Sequence, residues 1–369
     1  LSGCISFPFG KIHRKGFSEE DLTIPLPYPY TPQKQEKPVA TINGQPGYSY
    51  NISWEMSKVY VGYGGVAKIY VSNTGKNDIF IYNFGIKIGL QEWKWGENDT
   101  GIVVHTGEKK KFYLSFGSLP IPGTYAYALK ISFMVNNKAR NFPFHRKNEW
   151  HDNGTAIIKK DGCNVNIRAY NSSSIPKYSK NYYYYFDKIN GMVKPFDPFI
   201  MQKVSEITSS YPGAYNVFQL CTIFDYLREE MEYIPEEEEI WSTPTETIMK
   251  GGGDCEDYAI LFSALVASKG GTARVYMTDN HAFATVYIGN EKKAMEILQN
   301  IEEYYDADLF FAVFEDEFGY WLVADPLASF YIGGLPVGGD VIGPSTESNL
   351  YKWDFVNTKK VNIIDVMRE

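Results

Sequence analysis

The hydrophobic pattern of the chain changes near residue 199, and this change constrains the fold more than any other feature. From about Gly47 to Arg168, β-branched and aromatic residues alternate with polar or small ones, as in KVYVGYGGVAKIYV and DIFIYNFGIKIGL. A two-residue period broken by turn residues is typical of half-buried strands. From Phe199 onward, stretches such as NVFQLCTIFDYLREEMEY have helical spacing. The sequence therefore predicts an α+β protein with more than one domain.

Four segments follow from this pattern. A chain of 369 residues is long enough for two or three domains. Residues 1–46 contain the proline-rich stretch IPLPYPYTP and are interpreted as an extended tether or spacer. The short strands of residues 47–175 predict an immunoglobulin-like β-sandwich. Residues 176–198, with the tyrosine run at 182–185, are interpreted as a linker or an added strand, and residues 199–369 form a second, α+β domain.

The charge balance excludes some classes of protein. The formal net charge is −8, and no basic stripe interrupts it, so a nucleic-acid partner is not expected. No run approaches the roughly 18 apolar residues that a membrane-spanning helix needs. The acidic run Glu236–Glu239 is interpreted as a solvated loop, with cation binding or repulsion of acidic substrates as the alternative. His105, His145 and His151 are isolated and are interpreted as surface residues.

Cysteine spacing argues against a zinc site, because the four cysteines include no Cys-x-x-Cys pair. Cys163 and Cys221 could form a disulfide in an oxidising compartment. Cys221 also lies on the apolar stripe of a predicted helix, which favours a buried free thiol instead.

The start of the chain points to the cell surface. LSGC resembles the lipobox of secreted lipoproteins, which implies lipid modification at Cys4 and a membrane anchor. Acceptor patterns for N-glycosylation begin at Asn51, Asn98, Asn153 and Asn171, all in the first half of the chain. We therefore expect an extracytoplasmic protein that is held at the membrane.

Cys255 is placed at the start of a helix by its neighbours. Thr243 and Glu246 form a capping box with proline at the first helical position, and this short helix ends at Gly251. Asp254 is then a natural N-cap for a second helix that runs to about Ser268. Apolar residues occupy most of its circumference, which predicts a central, buried helix.

This position favours a reactive thiol. The positive end of the helix dipole stabilises a thiolate at Cys255, against the effect of the flanking carboxylates. We expect those side chains to turn away, to cap the helix or to bind a cation. Glycines 251–253 are interpreted as room for another backbone, such as that of a substrate.

Two later residues complete a possible catalytic group. RVYMTDNHAFATVYIG predicts two strands around a turn, with His281 leading the second strand, and GYWLVADP predicts a strand that ends at Asp325. His281 would accept the thiol proton of Cys255, and Asp325 would fix the histidine tautomer.

Together these segments resemble the transglutaminase-like superfamily of papain-type fold, close to its bacterial and archaeal cysteine peptidases. The resemblance rests on GGGDCEDYAILFSALVASKGGTARVYM, NHAF and WLVADP within about residues 199–357. It implies a Cys255–His281–Asp325 triad. The interval between His281 and Asp325 is longer than usual in the family, and EKKAMEILQNIEEYY within it predicts an inserted helix.

The resemblance also implies secondary site residues. No cofactor is required, but calcium binds the equivalents of Asp254 and Glu256 in some members; the alternative is a helix cap from Asp254 and a salt bridge from Glu256. Trp241 could line the cleft and assist the oxyanion site, or it could be a core residue.

Three functions are therefore weighed. The first is a surface-tethered thiol hydrolase, a peptidase or amidase, that cleaves a protein or peptide through a thioester. The second is a transamidase that crosslinks proteins through the same thioester. The third is a catalytically silent surface module that binds cell-envelope or surface-layer components.

Overall fold

The computed structural model describes residues 22–24, 34–40, 46–62, 64–89, 95–137, 149–159, 162–169, 177–178, 182–235, 240–337, 340–344, 350–354 and 360–367. The chain divides into two compact units. The sandwich unit comprises residues 28–170 and 305–310, and the α/β unit comprises residues 1–27, 171–304 and 311–369. Cys4, His145, Asn171 and Glu236–Glu239 lie outside the described residues.

The sandwich unit consists of two sheets around one core. One sheet has the strand order β1-β3-β7, and the other has β2-β10-β8-β4-β5, with β6 paired to β4 and β9 paired to β8. The strands are β1 (Tyr50–Met56), β2 (Val59–Tyr60), β3 (Gly65–Asn73), β4 (Ile79–Ile88), β5 (Gly96–Asn98), β6 (Ile102–Val104), β7 (Lys109–Phe116), β8 (Gly123–Asn137), β9 (Glu149–Ile158) and β10 (Asn164–Arg168).

Strand β4 shows how the alternation of the sequence builds this core. Ile79 and Ile81 face the core at odd positions, whereas Phe84 and Ile86 face it at even positions. The pairing of β4 with β8 shifts in register between Ile81 and Asn83. Such an irregularity moves the following side chains to the other face, so both halves of the strand bury their apolar residues in one core.

The α/β unit contains helices α1 (Tyr182–Val193), α2 (Pro198–Ile207), α3 (Val217–Glu230), α4 (Pro244–Lys250), α5 (Cys255–Ser268) and α6 (Glu291–Tyr305). Its main sheet has the order β11-β20-β14-β15-β17-β16-β19-β18. These strands are β11 (Lys177–Tyr178), β14 (Ala273–Met277), β15 (Ala282–Gly289), β16 (Phe311–Asp316), β17 (Gly319–Ala324), β18 (Asp340–Pro344), β19 (Leu350–Asp354) and β20 (Lys360–Asp365). The short strands β12 (Glu232–Tyr233) and β13 (Gly252–Gly253) pair with each other.

Helix α5 lies at the centre of this unit. Its residues from Asp257 to Ala267 are all buried, and it packs against β14, β15 and helices α1 to α4. The prediction of a central, buried helix is confirmed. None of the helices in the described part of the chain has the length and apolar character needed to cross a bilayer.

Two predictions about segments outside the sandwich need correction. The tyrosine run lies in helix α1, within the stretch interpreted as a linker or strand, and Ile189 and Val193 bury the apolar face of that helix. Leu22, in the predicted spacer, is also buried, and the next residue, Thr23, donates its backbone N–H to Tyr215 O at 3.2 Å. Ile189 and Val193 are four positions apart, which places them on one face of helix α1.

Two other predictions are confirmed. The interval between His281 and Asp325 contains α6, whose residues Ala294, Ile297 and Ile301 are buried as the helical spacing required. Cys163 and Cys221 are free thiols, and Cys221 is fully buried within α3.

Candidate functional site

The start of helix α5 is organised as its sequence predicts. Asp254 is the N-cap and accepts a hydrogen bond from Asp257 N at 3.4 Å, so Cys255 is the first residue of the helix. The capping box of Thr243 and Glu246 is present at the start of α4, and Gly251 ends α4 with a φ of 75°. Two well-capped helices therefore meet at the segment that carries the thiol.

The glycine triplet has a different role from the one inferred for it. A Cβ on Gly252 would lie 2.0 Å from the carbonyl oxygen of Glu232, and a Cβ on Gly253 would lie 2.4 Å from Asp257 Oδ2. The backbone that approaches at Gly252 is therefore the chain's own strand β12, not a substrate. Glycine is needed here because no other residue leaves room for the β12–β13 pairing.

We expect Gly252→Ala to destabilise the α/β unit by about 1–3 kcal/mol, since the new methyl group collides with rigid backbone. Gly191→Ala is the matched control, because nothing lies within 4 Å of its added Cβ and it sits inside helix α1. Alanine there should stabilise by about 0.5–1 kcal/mol. Urea unfolding of both variants measures the two effects, and a loss of stability of equal size in both would contradict this account.

Asp257 is a structural residue of the site that no motif in the sequence marks as one. It is fully buried, and its Oδ1 accepts a hydrogen bond from Ser242 N at 2.6 Å. This bond fastens the segment with Trp241 and Ser242 to the first turn of α5. An acidic residue three positions after an N-cap was the only local signal for it, because its partner lies 15 residues away.

His281 is held at the end of a closed hairpin. β14 and β15 pair antiparallel, with Met277 opposite Ala282. Thr278 donates its backbone N–H to His281 O at 2.9 Å, and His281 donates its own N–H to Thr278 Oγ1 at 3.1 Å. The predicted turn thus places His281 directly before β15, with only 8% of the residue exposed.

Sheet register brings Asp325 next to His281. Ala284 of β15 pairs with Ala324 of β17, so Asp325 lies opposite Phe283 and diagonal to His281. His281 Nε2 and Asp325 Oδ2 are 2.8 Å apart. Only 1% of Asp325 is exposed.

The carboxylate of Asp325 is held by further N–H groups. Its Oδ2 also accepts from Val337 N at 3.1 Å, and its Oδ1 accepts from Leu327 N at 3.2 Å. These donors fix the position of both carboxylate oxygens. An ionised Asp325 can only accept, so His281 Nε2 carries the proton, and Nδ1 is left with a lone pair that can accept another proton.

Cys255 lies beside the start of β15, but its thiol is not yet activated. Sγ donates to Glu256 Oε2 at 2.9 Å. Burial raises the pKa of Cys255, and the hydrogen bond to Glu256 and the charges of Glu256 and Asp254 raise it further, whereas a hydrogen bond from the backbone N–H of Ala282 lowers it. The expectation that both carboxylates turn away is therefore correct for Asp254 and wrong for Glu256.

Calcium binding at Asp254 and Glu256 stays a prediction, and in this structure both carboxylates have partners within the chain. Asp254 caps the helix and Glu256 accepts from the thiol. Among the residues that the structure describes, no group of three or more His, Cys, Asp or Glu side chains is arranged to hold a metal ion. Calcium takes six to eight oxygen ligands, so a site at these two carboxylates would also need backbone carbonyls or waters.

Trp241 is not a core residue. It is half-buried, its ring stacks on Tyr185 with centroids 6.1 Å apart, and Lys188 Nζ lies 3.5 Å from its ring centroid. Its Nε1 is buried without a hydrogen-bond partner among the described residues. An indole N–H usually finds a partner when buried, so Trp241 Nε1 is an exception among the described residues.

Comparison with known families identifies the segment that carries these residues. Residues 202–326 match the family model described as the transglutaminase-like superfamily, so this stretch is a transglutaminase-like domain, and the predicted resemblance to that superfamily is confirmed. The matched stretch contains Cys255, His281 and Asp325. A comparison with curated proteins gave no match.

Similar solved structures add little to this assignment. A candidate protease from Parabacteroides distasonis is 8% identical, with 65% of each chain covered and a TM-score of 0.24. The CARDB domain of a Pyrococcus furiosus protein, solved with di-metal ions, is 11% identical over 36% of this chain and 100% of that chain, with a TM-score of 0.20. An ASH/PapD-like domain of human CEP192 is 10% identical over 37% of this chain and 96% of that chain, with a TM-score of 0.19. At such scores the fold description rests on the strands and helices themselves.

Proposed function

We propose that the transglutaminase-like domain at residues 202–326 is a papain-like thiol hydrolase in which Cys255, His281 and Asp325 form the catalytic triad. The observation that carries the proposal is the buried 2.8 Å contact of His281 Nε2 with Asp325 Oδ2. The residue after this histidine, Ala282, donates its backbone N–H to the sulfur of Cys255. Nucleophile, base and orienting group are thus supplied by neighbouring elements.

The reaction follows from the roles of these atoms. His281 Nδ1 takes the thiol proton as Cys255 Sγ attacks the carbonyl carbon of a peptide or amide, and Asp325 stabilises the imidazolium. Backbone N–H groups at the start of α5 and Nε1 of Trp241 stabilise the oxyanion. The amine leaves with the proton from His281, which gives a thioester. Water, deprotonated by His281, then releases the acid and restores the thiol.

Transamidation is the alternative fate of the same thioester, because an amine can replace water. A labelled amine and a peptide mixture separate the two reactions when acyl products are analysed by mass spectrometry. Hydrolysis predicts new carboxyl ends without label, whereas crosslinking predicts incorporated amine without new N-termini. Label or cleavage that persists unchanged in Cys255→Ala would reject both.

A silent module is favoured by one observation, the hydrogen bond from Cys255 Sγ to Glu256 Oε2, which holds the thiol protonated. We interpret the Glu256 contact instead as a resting state that must open before attack. Glu256→Gln removes the charge that disfavours the thiolate, so the pKa of Cys255 should fall. At pH values below both pKa values, the variant holds more thiolate and should be alkylated faster by iodoacetamide, about tenfold for each unit by which the pKa falls. Well above both pKa values the rates should converge.

The control for this prediction is Glu303→Gln, which removes one exposed negative charge from α6. Its rate of alkylation at Cys255 should match that of the wild type at every pH. An unchanged pH profile in Glu256→Gln would mean that the carboxylate does not restrain the thiol.

The proposal includes an extracytoplasmic, membrane-anchored protein that acts on protein or peptide substrates, with cell-envelope or surface-layer components as partners. It rests on the LSGC start and the glycosylation patterns. Asn51 is exposed on β1, which suits a glycan. Asn98 is a less suitable site for a glycan, because its Nδ2, the atom that would carry the sugar, donates a hydrogen bond to Tyr113 O at 2.7 Å.

A further inference from the structure

Two exposed apolar side chains lie directly beside the proposed catalytic residues. Tyr233, 56% exposed, ends strand β12 and is paired with Gly253, two residues before Cys255. Val337, 44% exposed, donates its backbone N–H to Asp325 Oδ2. These side chains present apolar surface that a ligand bound at the reactive group can bury.

Tyr233 is also close to the charges of the site. Partial burial raises the pKa of its phenol, and the charges of Cys255, Asp254 and Glu256 raise it as well. The N–H groups of Glu232 and Ile234 donate to Gly251 O and Gly253 O, both at 2.9 Å. By the alternation of a strand, the N–H and C=O of Tyr233 point to the opposite edge, where an extended peptide can pair.

Glu256 places a negative charge at the nucleophile itself, since its Oε2 is 2.9 Å from Cys255 Sγ. When the carbonyl of a substrate peptide reaches Cys255 Sγ, the substrate side chains next to that carbonyl lie close to the Glu256 carboxylate. A cationic side chain there gains an opposite charge, whereas an anionic one is repelled, and partial burial of the site strengthens both effects.

We propose that the substrate is an extended peptide segment with a lysine or arginine side chain that pairs with Glu256 and an aromatic or large aliphatic side chain that packs on Tyr233. The inference rests on the proposed function, because it assigns the substrate class of the same site. Glu256 and Tyr233 are specificity-determining residues in this account. The formal net charge of −8 adds a weak, general preference in the same direction.

Peptidyl chloromethyl ketones of equal length test this proposal on the full chain. One probe carries Lys and Phe next to the reactive group, a second carries Glu and Phe, and a third carries Lys and Ala. In each reaction Cys255 Sγ forms a bond to the methylene carbon, chloride leaves and the thiol proton goes to the base. The rates are measured by peptide mass spectrometry and divided by the iodoacetamide rate at the same thiol.

We expect the Lys-Phe probe to react at least tenfold faster than the Glu-Phe probe and severalfold faster than the Lys-Ala probe. Glu256→Gln should reduce the first ratio to below threefold, whereas Glu303→Gln should leave it unchanged. Tyr233→Ala should remove the preference for Phe over Ala. Phe196→Ala is its matched control, because Phe196 is exposed to the same extent, 56%, and the preference should survive there.

Equal rates for the Lys-Phe and Glu-Phe probes in the wild type would overturn the proposal, as would ratios that the Glu256 and Tyr233 variants leave unchanged. The iodoacetamide rate separates this failure from failure of the proposed function. If that rate depends on His281 while the peptide probes are not discriminated, the catalytic account stands and the substrate class is wrong. If it does not depend on His281, the catalytic account itself fails.

Discussion

Replacing Asp325 with asparagine is expected to slow acylation of Cys255 by roughly 10²- to 10⁴-fold. The amide lacks the charge that stabilises the imidazolium of His281 during attack. It also offers only one acceptor oxygen, whereas the carboxylate accepts on both oxygens, from His281 and Val337 on one and from Leu327 on the other. The release of p-nitrophenolate from p-nitrophenyl acetate, corrected with Cys255→Ala, measures the acylation rate.

The control for this prediction is Asp279→Asn in the exposed turn before His281. It changes the same functional group in the same hairpin, and we expect an acylation rate within about twofold of the wild type, as for most surface substitutions. Circular dichroism of both variants shows whether the fold is kept. A folded Asp325→Asn variant with an unchanged rate would remove Asp325 from the mechanism.

Arg274→Met is expected to destabilise the α/β unit by about 3–5 kcal/mol, because it leaves partly buried carboxylates without their cation. Arg274 Nε is 2.6 Å from Asp365 Oδ1, and its Nη1 is 2.5 Å from Asp316 Oδ2. Its guanidinium also lies 3.6 Å from the ring centroid of Trp321. Burial would lower the pKa of Arg274, but the charges of Asp365 and Asp316 raise it overall.

Losing the ion pairs of Arg274 should also affect the candidate site, because of where Arg274 lies. Arg274 lies in β14, the strand that precedes the turn to His281, and it joins β14 to β20 and to the β16–β17 hairpin. Lys203→Met is the matched control, since Lys203 and Glu206 form a partly exposed pair at 3.7 Å that should contribute at most about 1 kcal/mol. Urea unfolding compares the two, and equal effects would contradict the role assigned to Arg274.

Local sequence patterns predicted the parts of the site that depend on neighbours along the chain. The caps at Asp254 and Thr243, the end of α4 at Gly251, the hairpin before His281 and the helix between His281 and Asp325 are all local features. Each depends on a backbone donor, a turn residue or an apolar period within a few positions. These features place the thiol and the imidazole on the correct elements.

Features that depend on distant partners could not be predicted in this way. Glycine is needed at position 252 because the backbone of Glu232 packs against it. The local sequence GGGDC does not indicate that Glu232 is the partner. Asp257 accepts a hydrogen bond from Ser242 N, although the whole of helix α4 lies between the two residues in the sequence. The side-chain conformation of Glu256 determines whether its carboxylate caps the helix, forms a salt bridge or accepts a hydrogen bond from the thiol. The tyrosine run predicts a strand because aromatic residues favour strands, whereas packing in the α/β unit selects a helix.

The central claim is that His281 activates Cys255, and the most direct test is the iodoacetamide labelling of the described thiols at pH 7 in the wild type and in His281→Asn. Cys163 is a half-buried reference thiol, and the fully buried Cys221 reports any unfolding. The account predicts that the labelling rate of Cys255 relative to Cys163 falls at least tenfold in the variant while Cys221 stays protected. The same relative rate in both folded proteins would contradict it.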